Sequence, residues 1–189
     1  MSRARCLAFI AMAALLSPGA AQGEKADREK KLRMSAKNFS GEEVKDAKLY
    51  EMLGDVLITQ GTIRITAERA VVKESEAGFF AELFGNGTNQ ITFRQKREGE
   101  NDFVEASADR AEYDDTSGAI KLFSKVHFKS GGDQGDSEYM QYNTNTEKME
   151  LRNQVPGAKP KAGNDDGRVV FEIQPRNQTS IPGKTPPPK

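Results

Sequence analysis

The 189-residue sequence has no tryptophan, one cysteine, one histidine and, beyond its first two dozen residues, no long apolar run. Each shortage closes off a class of function. Cys6 lies in MSRARCLAF, after Arg5 and outside the small-residue context of a lipoprotein cleavage site. A chain that loses this segment has no disulfide, no cysteine metal site and no thiol nucleophile. His127, in KVHFK, falls on the face opposite Val126 and Phe128, a solvated position. A serine triad or histidine cage has only this residue to build on, and no G-x-S-x-G elbow occurs. No G-x-x-x-x-G-K-[ST] loop occurs either, so work driven by nucleotide must come from elsewhere. The 28 basic and 28 acidic residues balance, which argues against nucleic acid as a partner. DDTSG and GNDDG look like fragments of calcium loops, but neither has the closing glutamate, and ordinary turns explain both. Acidic residues are abundant, yet no pair stands out as a glycosidase couple. The sequence predicts no enzyme, no metal and no cofactor.

What is present begins with an export signal. MSRARCLAFIAMAALLSPGAAQG has Arg3 and Arg5, an apolar run over residues 7–16 and then small residues, the three parts of a secretory leader over residues 1–23. Cleavage after Ala21 and cleavage after Gly23 both satisfy the small-residue rule. Loss of the two arginines leaves a net charge of about −2. The apolar run is shorter than the ~20 residues needed to span a bilayer, so a soluble exported chain is expected. A charged linker, EKADREKK, follows over residues 24–31.

From Leu32 onward the chain alternates with period two. Apolar pairs one residue apart include Leu32/Met34, Val56/Ile58, Ile63/Ile65, Ala70/Val72, Ile91/Phe93, Ala111/Tyr113, Ile120/Leu122, Val126/Phe128, Met140/Tyr142 and Met149/Leu151, with polar residues at most positions between. Half-buried strands require this pattern. Clusters such as GNGTN, REGEND, DDTSG and SGGDQGD supply the turns. An all-β fold over residues 32–174 is expected, as sandwich, jelly roll or solenoid. A shift of 70 lays GDVLITQGTIRITAERAVV over SKVHFKSGGDQGDSEYMQY, matching Val56 with Val126, Ile58 with Phe128, Gly61 with Gly131 and Val72 with Tyr142. Stacked repeats of short β units are implied.

After Leu151 a Pro/Gly/Lys loop leads to one more strand, RVVFEIQ, with Val169, Phe171 and Ile173 on one face and Val170 on the other. A last strand followed by a Pro-rich tail (residues 175–189) lies at a sheet edge and can template another chain. The inward phase is short of large residues. Either its Met and aromatic side chains fill a core, or the strands enclose a trough that a long apolar ligand completes.

GDVLITQGTIRITAERAVV, ASADRAEYDDTSGAIKL and GDSEYMQYNTNTEKMEL, behind a leader, resemble the OstA-like family of periplasmic lipopolysaccharide-transport proteins over roughly residues 32–174. The resemblance implies an open-ended β-jelly roll whose interior takes the acyl chains of lipid A. It implies head-to-tail self-association, docking to inner-membrane and outer-membrane transport components, and energy from a partner ATPase. Placed on the inward phase, the expected lipid contacts are Leu32, Met34, Val56, Ile58, Ile63, Ile65, Ile91, Phe93, Tyr113, Leu122, Phe128 and Tyr142. The expected oligomer edge is Val169, Val170, Phe171 and Ile173. Asp115 stands where the family can have a leucine, in what the resemblance makes the trough wall. A lipid-free periplasmic scaffold is the alternative.

Overall fold

A computed structural model describes residues 27, 29–157 and 168–174; the expected leader (1–23) and tail (175–189) lie outside them. Twelve strands follow one another: β1 (Arg33–Ser35), β2 (Asn38–Val44), β3 (Ala47–Gln60), β4 (Ile63–Ser75), β5 (Gly78–Phe84), β6 (Ile91–Lys96), β7 (Phe103–Ala108), β8 (Arg110–Asp114), β9 (Ala119–Ser130), β10 (Asp133–Asn143), β11 (Met149–Arg152) and β12 (Val170–Glu172). All pairings are antiparallel. The all-β jelly-roll expectation therefore stands.

Two long hairpins, β3–β4 and β9–β10, organise the rest. Their strands reach 14 residues, longer than the short strands expected, because each runs through a bulge and continues. In the first hairpin Gly54 and Asp55, both at positive φ (76° and 49°), lie opposite the single residue Glu68. In the second, Ser124 and Lys125 (65° and 51°) lie opposite Glu138. Two residues facing one bend a ladder sharply. Each long hairpin is thus folded across its middle, and its two halves belong to two leaves of a V. One leaf runs β2-β3-β4-β5-β8-β9-β10-β11; the other runs β1-β3-β4-β6-β7-β9-β10-β12.

The 70-residue repeat is now legible as architecture. Strands β1–β6 and β7–β12 form two successive units with the same internal pairings. Met34 pairs with Ile58 as Ala106 pairs with Phe128; Asn38 pairs with Leu53 as Arg110 pairs with Phe123; Phe93 pairs with Ile65 as Phe171 pairs with Gly135. The crease repeats to the level of single bonds. Lys37 N donates to the Gly54 carbonyl at 2.8 Å and Asp109 N to that of Ser124 at 3.0 Å. Beside them Lys37 Nζ meets Asp55 Oδ2 at 2.8 Å, and Lys125 Nζ meets Asp109 Oδ2 at 3.1 Å, the same ion pair with its charges exchanged.

Three expectations are corrected in detail. Asp27, expected in the linker, is buried and accepts hydrogen bonds from Thr62 N (2.8 Å) and Thr62 Oγ1 (2.6 Å), capping the β3–β4 turn. Gly61 is needed there, since a Cβ would sit 2.0 Å from the Asp27 carboxylate. Asp115 is not in a trough wall: β8 ends at Asp114, and Asp115 lies in the following turn, its N–H bonded to the Phe79 carbonyl at 3.1 Å. The last strand is shorter than RVVFEIQ, spanning three residues, with Val169 just before it and Ile173 just after.

Candidate functional site

The inward side chains form unbroken rows across all eight strands of each leaf. In one leaf the register places Met34, Ile58, Ile65, Phe93, Ala106, Phe128, Gly135 and Phe171 side by side. In the other it places Phe39, Met52, Ala70, Leu83, Ala111, Leu122, Met140 and Leu151 in one row, and Gly41, Tyr50, Val72, Ala81, Tyr113, Ile120, Tyr142 and Met149 in the next. The rows of the two leaves face each other, and Phe93 meets Tyr142 across the V with ring centroids 5.8 Å apart.

All twelve expected lipid-contacting residues point into this interior. Ten of them, from Val56 to Tyr142, are no more than 3% exposed, while Leu32 and Met34 pack against the cluster from its edge. The interior fills much of its own volume, so the open trough expected along its length is replaced by a closed core. The physical reason is the small residues: Ala70, Ala81, Ala106, Ala108 and Ala111 let the leaves approach until the larger side chains interdigitate. Space remains at the C-terminal end, in a cavity of about 150 Å³ walled by Val104, Phe128, Tyr142, Met149 and Phe171, with Arg97, Ser130, Asp133 and Glu147 also lining it. At ~30 Å³ for a group the size of a water or methylene, it holds about five such groups, a fraction of an acyl chain. Burial pushes the Tyr142 hydroxyl's pKa well above its ordinary value, Glu147 adding to the shift and Arg97 opposing it, so this wall is neutral.

The free edges of the leaves are held together at one point. Gln95 continues the inward row after Ile91 and Phe93, is 2% exposed, and donates from Nε2 to the Thr144 carbonyl of the opposite leaf at 3.1 Å. Its Oε1 is buried with no partner. Beside it Glu98 N donates to Glu147 Oε1 at 2.7 Å. These two bonds close the mouth of the V. An amide in an apolar row, half satisfied, is a weak seam in an otherwise dry interior.

The outer faces are polar. His127 is exposed, as expected, with Nδ1 2.9 Å from Asp136 Oδ1. Arg94 lies over the Phe103 ring at 3.6 Å and Arg110 over Phe123 at 4.6 Å, which shields the outward aromatics. Among the described residues no group of three or more His, Cys, Asp or Glu is placed to hold a metal.

At the two ends the leaves stop without cover. At the N-terminal end β1 and β2 each have one free edge, and at the C-terminal end β11 and β12 do. The exposed large apolar side chains include Phe39 (51%) at one end and Val170 (55%), Phe171 (41%) and Ile173 (72%) at the other. Phe171 stacks on Phe128 at 6.3 Å, so the edge strand leans on the cavity wall.

Sequence reasoning missed part of this interior. Met52, Val104 and Leu83 were not among the expected contacts, nor were Gln95 and Thr144 of the mouth. Alternation was present in Phe79/Ala81/Leu83, but Phe80 and Phe84 on the outer face hide it. Nothing in the sequence marks Gln95 as inward except its spacing from Phe93.

Comparison with known proteins places this geometry. The family model described as LptA/(LptD N-terminal domain) LPS transport protein matches residues 33–148. The crystal structure of LptH, the LptA homologous periplasmic component of the conserved lipopolysaccharide transport device from Pseudomonas aeruginosa, superposes with a TM-score of 0.65 at 22% identity, covering 79% of this chain and 99% of that one. Among curated protein sequences there is no significant match.

Proposed function

Because the chain belongs to the LptA/LptD N-terminal-domain family of lipopolysaccharide transport proteins, we propose that it is a periplasmic bridge, shielding the acyl chains of lipopolysaccharide between its two leaves while passing them toward the outer membrane. The observation that carries this is the continuous inward apolar row of eight strands, open at both ends and edged by a mouth that the Gln95–Thr144 and Glu98–Glu147 hydrogen bonds span. The glycan, being polar, stays outside.

Acyl chains reach the interior by parting the leaves. The existing cavity at the C-terminal end admits the first few methylenes; each methylene buried contributes about 0.8 kcal/mol. The mouth bonds cost about 1 kcal/mol each to break, so a handful of methylenes offsets them. The crease, bent at the Gly54/Asp55 and Ser124/Lys125 bulges, is the hinge about which the leaves open. Transport through successive copies requires that they abut at their ends, where the free strand edges lie. Inner-membrane and outer-membrane components would dock at the same two edges, and the energy would come from a partner.

The closed core favours one second reading. A lipid-free scaffold also wants inward residues buried against one another, as ten of the twelve are here. The readings separate on lipid. Purified with lipopolysaccharide and subjected to native mass spectrometry, the protein is expected to carry it, and Ile58→Asp is expected to abolish the adduct while outward Thr92→Asp retains it, both being checked for folding. A folded protein that never retains lipid would leave the scaffold reading.

A further inference from the structure

End-to-end joining is part of the bridge reading, and the register of the joint rests on it; the internal repeat resolves that joint to individual residues. Within the chain the two units meet along two strand pairs, β5 with β8 and β6 with β7. The equivalents of β5 and β6 in the second unit are β11 and β12, and the equivalents of β8 and β7 in the first are β2 and β1. Those four strands carry the free edges. We propose that the joint between two copies duplicates the joint within one, in the same register, and that a single cross-strand ion pair of reversed polarity selects the partner edge. β12 then pairs with β1 of the next copy, with Val170 opposite Ser35, Phe171 opposite Met34 and Glu172 opposite Arg33.

The register comes from shared partners. Phe93 and Phe171 hold equivalent places, opposite Ile65 and Gly135; Ala106 and Met34 hold equivalent places, opposite Phe128 and Ile58. Within the chain Phe93 faces Ala106, so Phe171 faces Met34. One residue along, Arg94 Nε meets Glu105 Oε1 at 3.1 Å on the outer face. The equivalents are Glu172 and Arg33, again one acid and one base, exchanged. Glu172 already accepts from Gln134 Nε2 at 2.6 Å, a neutral donor that leaves its charge unmatched there. The crease shows that this fold tolerates such an exchange, since Lys37–Asp55 in one unit is Asp109–Lys125 in the other.

Size agrees in the second leaf. Within the chain small Ala81 faces large Tyr113. The equivalent positions, Met149 and Gly41 of the next copy, again set large against small, and exposed Phe39 falls opposite Leu151. The joint buries apolar side chains at both edges and leaves the ion pair at the surface as a register mark. The partner that fits is a second copy.

Charge reversal tests this in the full mature chain. Arg33→Glu and Glu172→Arg each set like charges at the joint and should weaken self-association about three- to tenfold, read by sedimentation velocity over a concentration series. Mixed in equal amounts, the two variants should recover it, because alternating copies restore an acid–base pair at every joint. A chain carrying both changes should assemble alone and avoid the wild type. The mature chain has no cysteine, so Ser35→Cys with Val170→Cys should give interchain disulfides, and Ser35→Cys with Glu172→Cys should give few. Assembly indifferent to charge reversal, or cross-linking that favours position 172, overturns the register while leaving end-to-end joining in place. A wild-type protein that stays monomeric at every concentration overturns both.

Discussion

Replacing Phe93 with alanine probes the interior where the two units and the two leaves meet. The ring is 1% exposed, lies between Ile65 and Ala106 on the neighbouring strands, and contacts Tyr142 across the V. Truncating a buried phenylalanine costs about 3–5 kcal/mol, the transfer term plus the cavity left behind. The tilted pair with Tyr142 accounts for about 0.5–1.5 kcal/mol of aromatic contact. Alanine neighbours cannot expand to fill the space, so the upper half of the range applies. Against a total stability of about 5–15 kcal/mol the variant should still fold, with a urea midpoint far below that of the wild type and an unchanged slope. Thr92→Ala, one residue away on the exposed face, loses at most its hydroxyl contact with Thr66 and should lower stability by less than about 1 kcal/mol. Added lipopolysaccharide should recover part of the Phe93→Ala loss, since a ligand that occupies the folded interior stabilises it by mass action. Equal losses at positions 92 and 93 would refute the strand phase, and a Phe93→Ala protein indifferent to lipid would refute the claim that the interior is where lipid goes.

Gln95→Leu combined with Glu147→Ala should lower stability by about 1–2 kcal/mol and speed lipid uptake in stopped-flow fluorescence; slower uptake would mean the mouth is not the route. Val170→Pro removes a backbone donor from β12 and should shorten oligomers seen by light scattering, and truncation before Arg168 should shorten them further; unchanged sizes would place the contact elsewhere. Deleting residues 175–189 should leave folding and lipid binding intact, checked by circular dichroism and native mass spectrometry. The Tyr142 pKa is raised by burial, so its contribution is complete below its unfolded pKa of about 10 and is lost as pH climbs through the folded value. The carboxyls of Asp109, bonded by Gln90 and Lys125, and Asp114, bonded by Ser117 and the Thr116 and Ser117 N–H groups, are held low and contribute above about pH 4, fading in acid. A urea midpoint measured from about pH 3 to about pH 12 should fall at both ends; a flat alkaline limb would contradict the burial of Tyr142.

Period-two alternation was enough to read the inward face of β3, β4, β6, β9 and β10, because in those strands polar residues separate the apolar ones. It failed where the outer face is apolar too, as at Phe80 and Phe84, the latter covered by Arg69 at 5.3 Å. β2, NFSGEEV, carries no alternation at all, since its seven residues are all exposed; pairing with β3, not burial, makes it a strand. The 70-residue shift was visible in Val56/Val126 and Gly61/Gly131, but its extent was not. Most of what the two units share lies in backbone pairings, and equivalent side chains differ or exchange charge, as Asp55 and Lys125 do. The closed state of the interior was illegible because it depends on how nearly two leaves approach, which is set by alanines scattered over both.

A lipid path between the leaves is tested most directly by what touches the inner face in the living cell. A photo-reactive benzoylphenylalanine at position 128, which lines the C-terminal cavity and is 3% exposed, should cross-link to lipopolysaccharide on irradiation. The same group at exposed Lys129, one residue along the same strand, should not. Adducts at 128 alone are the predicted result; equal adducts at both positions, or none at 128 in a folded protein, would contradict a lipid path between the leaves.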